Sequence, residues 1–396
     1  MIFGHRLRRG CVLLAATAVV WAAAATTSPA PPAPPTCTAA RDVEASIFLI
    51  GDAGKPRPGG EPVLQAVRRE ASQDARRSVV VFLGDNVYPQ GLPPAVDSTA
   101  PRDLQERREK SERILDAQIE AVPEDARGIF VPGNHDWAHE GPEGWAAVRR
   151  QEEYVTRRGA SRVRFLPRGG CPGPTVLDEV GARLRIVALD TQWWLQAGPK
   201  PPGPGSDCTA NSPNEVVDAL REALLTAGER QVVVVAHHPL LTGGPHGGHF
   251  GLKAHLFPLT ERKKWLWVPL PGLGSIYPLA RRSGVSPQDV SNDVNQAMRD
   301  ALEKVLAERP PLAYASGHEH TLQVLDKPAL ARLLLVSGTG IYGHVSPVSE
   351  LPETRYAASA SGFMRLDLTT NGRARLGVLV VDRDSTTHER YCRWVE

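Results

Sequence analysis

Four strongly apolar runs in this chain, residues 47–50, 79–83, 129–131 and 232–235, each lead into a segment that sets small residues beside metal-binding side chains. The segments are Gly51-Asp52-Ala53-Gly54, Gly84-Asp85-Asn86-Val87-Tyr88, Gly133-Asn134-His135-Asp136 and Ala236-His237-His238-Pro239. A fifth, Gly317-His318-Glu319-His320, follows the weaker run 312–315. A short apolar run bounded by glycine reads as a buried strand. A carboxylate or imidazole at its end is a side chain held on a rim, where open α/β sheets bind their ligands. Several such rims brought together can hold two metal ions about 3.5–4 Å apart.

Further strands are expected at 184–189, 333–336, 362–368 and 376–381. Helical patterns lie at 63–75, 104–121, 142–156, 214–227 and 294–308. Alternation of the two argues for an α/β core. Past residue 330 the strands follow one another without helices, which predicts an antiparallel C-terminal part. With 396 residues, 41% of them apolar and 23% charged, the chain can bury one large core or two ordinary ones. Its 46 basic and 44 acidic residues leave a net charge of +2. That balance gives no reason to expect nucleic acid or an anionic surface as the main partner.

Residues 1–25 read as a signal peptide: Arg6, Arg8 and Arg9 precede an apolar run from Cys11 to Ala25 that ends in alanines. The run is short for a membrane span. An uncleaved anchor stays open. Residues 26–41 form a Pro-rich linker, and the catalytic domain is expected over 42–396. The chain is therefore expected to be exported, to a periplasm or the extracellular space. Four cysteines follow the leader: Cys37, Cys171, Cys208 and Cys392. An even number in an exported chain permits two disulfides. Cys171 and Cys208 flank one loop-rich region, which favours that pair and leaves Cys37 for Cys392.

A long stretch, 243–287, is an insertion or loop. It carries the apolar cluster Trp265-Leu266-Trp267-Val268-Pro269-Leu270-Pro271. The cluster can pack on the domain itself, line a substrate cleft or touch a membrane.

Hard and borderline cations take carboxylate, amide and imidazole ligands. The five segments offer Asp52, Asp85, Asn134, His237, His318 and His320. Asp85 has two oxygens and can bridge two ions. His318 and His320, two residues apart, share a face in an extended segment. Each of these residues alone has a plainer reading: an aspartate after a strand is usually a turn former, and Tyr88 or His246 outside a motif is an ordinary aromatic or a loop residue. His139 and His255 read as surface residues, His238 as a packing or orienting residue, and Trp137 as part of a cleft wall.

The order GD, GDN, GNHD, a His-bearing segment and GHxH resembles the calcineurin-like metallophosphoesterases, over Asp52 to His320. Within them, Gly84-Asp85-Asn86-Val87-Tyr88 resembles the GDNxY segment of purple acid phosphatases, and Leu189-Asp190-Thr191 is similar to another of their segments. The resemblance implies a metallophosphoesterase-type sandwich of two mixed β-sheets flanked by helices. It assigns Asp52, Tyr88 and His320 to one metal, Asn134, His237 and His318 to a second, and Asp85 to both. It implies Fe(3+) with a divalent iron, zinc or manganese. His135 would contact the phosphate and protonate the leaving group, Asp136 would orient His135, and His246 would face the substrate. Ala53 stands where purple acid phosphatases tend to carry tryptophan. The implied activity is hydrolysis of a small-molecule phosphate monoester by a metal-bound hydroxide. A phosphodiesterase of the same fold, acting on nucleotides or phospholipid headgroups, and a non-catalytic binding module are the alternatives.

Overall fold

The computed structural model describes residues 37–262 and 265–395. The expected leader and linker residues 26–36 lie outside the described residues. Among the described residues, fourteen strands form two sheets of seven. The first sheet contains β1 (Val43–Ile50), β2 (Ser78–Leu83), β3 (Arg127–Val131), β4 (Val163–Phe165), β12 (Gly362–Thr369), β13 (Ala374–Val381) and β14 (Thr387–Val395). The second contains β5 (Thr175–Gly181), β6 (Leu184–Ala188), β7 (Gln231–Val235), β8 (Ala313–Ser316), β9 (Leu322–Lys327), β10 (Ala331–Ser337) and β11 (Thr354–Ala358). Their orders are β14-β13-β12-β1-β2-β3-β4 and β11-β9-β10-β8-β7-β6-β5.

Both sheets are mixed. Strands β1 to β4 run parallel, as do β6, β7, β8 and β10. Strand β12 adds antiparallel to β1, β13 to β12 and β14 to β13, so the C-terminal part has the expected character. Five strands go beyond the sequence reading: β4, β5, β9, β11 and β14. The last reads Thr-His-Glu-Arg-Tyr-Cys-Arg-Trp-Val and is an edge strand, where one side needs no apolar cover.

The central strands are buried on both faces, which is why β2 and β7 carry continuous apolar runs, Val79–Leu83 and Val232–Val235. Side chains alternate between two cores with the period of two expected of strands. Ile47, Leu49, Val79, Val81, Val233 and Val235 fill the space between the sheets. Phe48, Phe82 and Phe130 point out of the first sheet under the helices α1 (Pro62–Ala71), α2 (Arg102–Ala121) and α3 (Gly144–Gly159). The short helix α4 (Gln192–Leu195) precedes α5 (Pro213–Leu225). Val232, Val234 and Tyr314 meet α5 and the last helix, α9 (Asp293–Glu308), on the other side. The starts of α5 and α9 carry caps: Ser212 accepts from the Glu215 amide with Pro213 in the first turn, and Asn292 accepts from the Val294 amide.

Residues 243–287 hold three short helices, α6 (Leu252–Leu256), α7 (Leu259–Arg262) and α8 (Ile276–Arg282). Both favoured disulfides are present, Cys37–Cys392 and Cys171–Cys208. They suit an oxidising compartment. No helix among the described residues is long and apolar enough to cross a membrane.

Candidate metal centre

The parallel runs put the carboxyl ends of β1, β2 and β3 at one edge, and those of β7 and β8 beside them. The loops that leave these ends are laced together. The Asp52 amide donates to Gly84 O at 2.9 Å, the Gly51 amide to Ser337 O at 2.7 Å and the Gly317 amide to His237 O at 3.0 Å. Small residues are required here: a methyl group on Gly54 would lie 2.6 Å from the Val87 nitrogen. Asp52, Asp85 and His318 adopt left-handed backbone, with φ of 59°, 56° and 70°. Asp, Asn and His are the side chains that most often accept that region, and such strain gathers at functional sites.

Two nests of ligand atoms result. In the first, the Tyr88 hydroxyl lies 3.0 Å from Asp52 Oδ1, 3.1 Å from Asp85 Oδ2 and 3.2 Å from His320 Nε2. His320 Nε2 is 3.4 Å from Asp52 Oδ1. In the second, Asn134 Oδ1 lies 3.0 Å from His237 Nε2 and 3.2 Å from His318 Nδ1. The two imidazole nitrogens are 3.1 Å apart, and His237 Nε2 is 3.5 Å from Asp85 Oδ1. Asp85 thus gives one oxygen to each nest. Four ligands placed tetrahedrally at zinc–nitrogen bond lengths sit about 3.3 Å apart.

Tautomers test whether these groups suit a cation. His237 Nδ1 donates to Leu83 O at 2.8 Å, and His318 Nε2 donates to Gln288 O at 3.2 Å. In the neutral imidazoles the opposite nitrogens are then lone pairs, facing each other, an amide oxygen and a carboxylate. Burial, then the neighbouring histidines, pushes His318 well below the usual imidazole range, so it stays neutral. Acceptors crowded against acceptors repel, and a cation among them reverses the sign. In the first nest, one hydroxyl proton cannot serve two carboxylates. Burial, then Asp52 and Asp85, pushes the Tyr88 phenol well above its ordinary value. Burial works to raise Asp85, but the charge of His135 and the hydrogen bond from its amide act against burial, and the group is lowered to about 2. The residues fit a pair of cations. Chelating both is expected to lower the melting temperature by about 7 °C, since each ligand at a hundred times its Kd stabilises by about 2.7 kcal/mol. Differential scanning calorimetry with and without chelator checks this.

His238 also lies near His237 and His318. Its two nitrogens are already engaged, Nδ1 with the Thr191 hydroxyl and Nε2 with Gln288 Oε1, both at 2.8 Å. It orients and packs, and burial lowers it to about 3.

His135 stands at the mouth of the first nest. Its Nε2 is 3.7 Å from Asp85 Oδ2, and its ring meets Tyr88 edge-on at 4.2 Å. The orienting group is not Asp136. His135 Nδ1 donates to Pro89 O at 2.7 Å. Asp136 instead faces inward and accepts from the amides of Gly133, Asn86 and Val87 and from Asn86 Nδ2. It pins the GDN and GNHD loops together, and burial next to Asp85 raises it to about 7. Trp137 is fully buried and donates to Asp190 Oδ2 at 2.8 Å, so it is core rather than cleft wall. His139 remains exposed yet packs its ring on His135 at 3.8 Å.

His246 lies on the side of the second nest, its ring 4.0 Å from that of His318. Arg281 of α8 donates to His246 Nδ1 at 2.9 Å and grips Asp289 through Nε and Nη2. Nδ1 therefore accepts, and Nε2 carries the proton in the neutral ring. Two neighbours had no motif to announce them. His344 packs its ring 4.1 Å from His320, and the Gln288 carbonyl fixes His318. A cleft of about 560 Å³ opens beside His320, with His344, Val345 and Ser346 on one side and Phe250, Lys253 and Thr260 on the other.

Two facing mixed sheets with helices outside, and a paired ligand cluster at their shared rim, define a metal-dependent phosphoric ester hydrolase. The model of the calcineurin-like phosphoesterases matches residues 45–322, and the chain belongs to that family. No curated protein sequence matches the chain. Among solved structures it is similar to the protein PhoD, with 13% identity over 92% of this chain and 73% of that one, at a TM-score of 0.53. It is also similar to the purple acid phosphatase PPD1 of yellow lupin seeds, with 12% identity over 88% of this chain, at a TM-score of 0.50. The match takes up 53% of the lupin chain.

Proposed function

We propose that this chain is an exported phosphatase that hydrolyses phosphate monoesters with Fe(3+) in the first nest and divalent iron, zinc or manganese in the second. The observation that carries the reading is the Tyr88 phenol, within 3.2 Å of Asp52, Asp85 and His320. A buried phenol whose ionisation is opposed by two carboxylates becomes a ligand only for a cation of high charge and affinity for hard oxygen. Metals held by Asp52, Asp85, Tyr88 and His320 on one side and by Asp85, Asn134, His237 and His318 on the other would supply Lewis acidity toward a phosphoryl group and a water of lowered pKa.

The residues divide the remaining work. Asp85 ties the nests together. Asn134 adds a neutral oxygen, so that nest gains a ligand without another negative charge to repel a phosphate dianion. His135, fixed through Nδ1–H by Pro89 O, has an Nε2 proton for the leaving oxygen only as the imidazolium, and is left as the Nδ1–H tautomer once it has given it. His246, fixed through Nδ1 by Arg281, keeps an N–H for a phosphoryl oxygen. Asp136 supports the loops and touches none of this directly. Export is supported by the leader-like sequence at 1–25 and by the two disulfides.

A phosphodiesterase is the second reading, favoured by the cleft of about 560 Å³, which is larger than one phosphoryl group needs. Elemental analysis of the purified chain with a panel of phosphate mono- and diesters separates the two. Tyr88→Phe is expected to remove visible charge-transfer absorbance at unchanged fold. A wild-type preparation that is colourless and holds only zinc or manganese sinks the iron assignment and leaves hydrolysis standing.

A further inference from the structure

Among the described residues, thirteen large apolar side chains stay exposed, and nine of them lie between Leu252 and Val285. Leu252 is 73% exposed, Trp265 71%, Leu273 67% and Ile276 64%. The first purpose of such a segment would be to cover the domain, but these side chains point away from it. Soluble surfaces seldom gather apolar groups this way without a partner.

Charge says which partner. Residues 243–287 contain six basic side chains and one acidic, a net of +5. The other residues then hold 40 basic and 43 acidic out of 46 and 44, a net of −3. Apolar and aromatic side chains interleaved with lysine and arginine are the composition of a surface that lies in a lipid interface. Lys253 places its ammonium 4.6 Å over the Trp267 ring, so the apolar and cationic groups are in contact. A second copy of this chain is a poor occupant, because a symmetric interface would press +5 against +5.

The segment is also joined to the site. Helix α8 sends Arg281 inward to Asp289 and His246, and leaves Ile276 and Leu279 outside. Phe250, Lys253 and Thr260 form one wall of the cleft beside His320.

We propose that residues 243–262 and 265–287 form a membrane-docking surface that seats on an anionic lipid bilayer and brings the cleft beside His320 to the headgroups. The docking stands apart from the catalytic reading. Its consequence, faster cleavage of a phosphate ester anchored in the bilayer, rests on that reading.

The test is co-sedimentation of the full chain with vesicles of phosphatidylcholine alone or mixed with phosphatidylglycerol. Partitioning to the anionic vesicles is expected to be on the order of tenfold stronger, and to be lost between about 0.1 and 0.5 M salt. Leu273→Ser with Ile276→Ser is expected to weaken it on the order of tenfold. Turnover of a soluble chromogenic ester by that double variant should be unchanged, which shows that it is folded. Asp85→Asn should lose turnover and keep vesicle binding, which separates a failure of docking from a failure of catalysis. Equal, weak binding of the wild type to both vesicles overturns the proposal. So does a dimer in solution that the double substitution abolishes while no vesicle binding is seen.

Discussion

Asp85→Ala is expected to leave the purified chain with fewer than one metal ion and to cut turnover of a chromogenic phosphate ester by at least about a thousandfold, beyond the cost of losing one oxyanion donor. The size follows from where its two oxygens go. Oδ2 meets the Tyr88 hydroxyl at 3.1 Å in the first nest, and Oδ1 lies 3.5 Å from His237 Nε2 in the second. No other side chain of the expected ligand set faces both. Removing it leaves the first nest with Asp52 as its one carboxylate. The second then has only neutral ligands, and a site without an anionic ligand holds a divalent ion weakly. Oδ1 also accepts from the His135 amide at 2.9 Å, so the loop that carries His135 loses an anchor. Alanine adds a backbone penalty of about 1 kcal/mol, because φ is 56° at this position. Asp85→Asn separates these effects. Asparagine tolerates the left-handed region and keeps one oxygen and the shape, so it removes mainly charge. It should fold as the wild type and still lose most of its metal and turnover. Two bound metals with turnover within tenfold of wild type, in either variant, would end the bridging assignment.

The ligand segments were legible because each is local. A strand end, a small residue and a donor side chain fall within five residues, and five such segments in one order leave few folds open. What failed was contact between segments. The resemblance implied that Asp136 orients its neighbour His135. Their side chains in fact diverge, His135 toward Pro89 O and Asp136 toward the buried amides of Gly133, Asn86 and Val87. Backbone carbonyls such as those of Pro89 and Gln288 have no sequence signature, because every residue has one. Trp137 was misplaced for a related reason: a tryptophan beside a rim motif reads as cleft wall until Asp190, 53 residues away, captures its N–H in the interior. The five additional strands show the limit of periodicity. Strand β5 is barely buried, and β14 opens on four polar residues and lies half-exposed at a sheet edge, so neither has the apolar run that marked β2 and β7. The 243–287 segment was visible as long and apolar, but its placement along the cleft was not.

Breaking the Cys37–Cys392 bridge is expected to lower the melting temperature by about 7 °C, and breaking Cys171–Cys208 by about 5 °C. In the chain-entropy account a cross-link acts on the unfolded state, and its effect grows with the logarithm of the loop it closes. The first bridge spans 355 residues and the second 37. The difference between them is then about 2 kcal/mol, for stabilisations of about 6 and about 4 kcal/mol. The folded contacts favour the same ranking. Cys37 and Cys392 join the start of the described chain to β14, and Arg375 of the adjoining strand β13 strengthens the joint. It donates to Thr38 O at 3.1 Å and to both carboxylate oxygens of Glu389 at 2.8 and 2.7 Å. Cys37→Ser with Cys392→Ala and Cys171→Ser with Cys208→Ser are the variants, compared by calorimetry with the metals bound. Turnover at room temperature should be unchanged in the first, because β14 lies at the edge of its sheet, three strands from β1 and its ligand loop. If the shorter loop proves the more stabilising, the bridges act through native contacts rather than chain entropy. If neither variant melts below the wild type, the sheets and their three cores hold the fold without them.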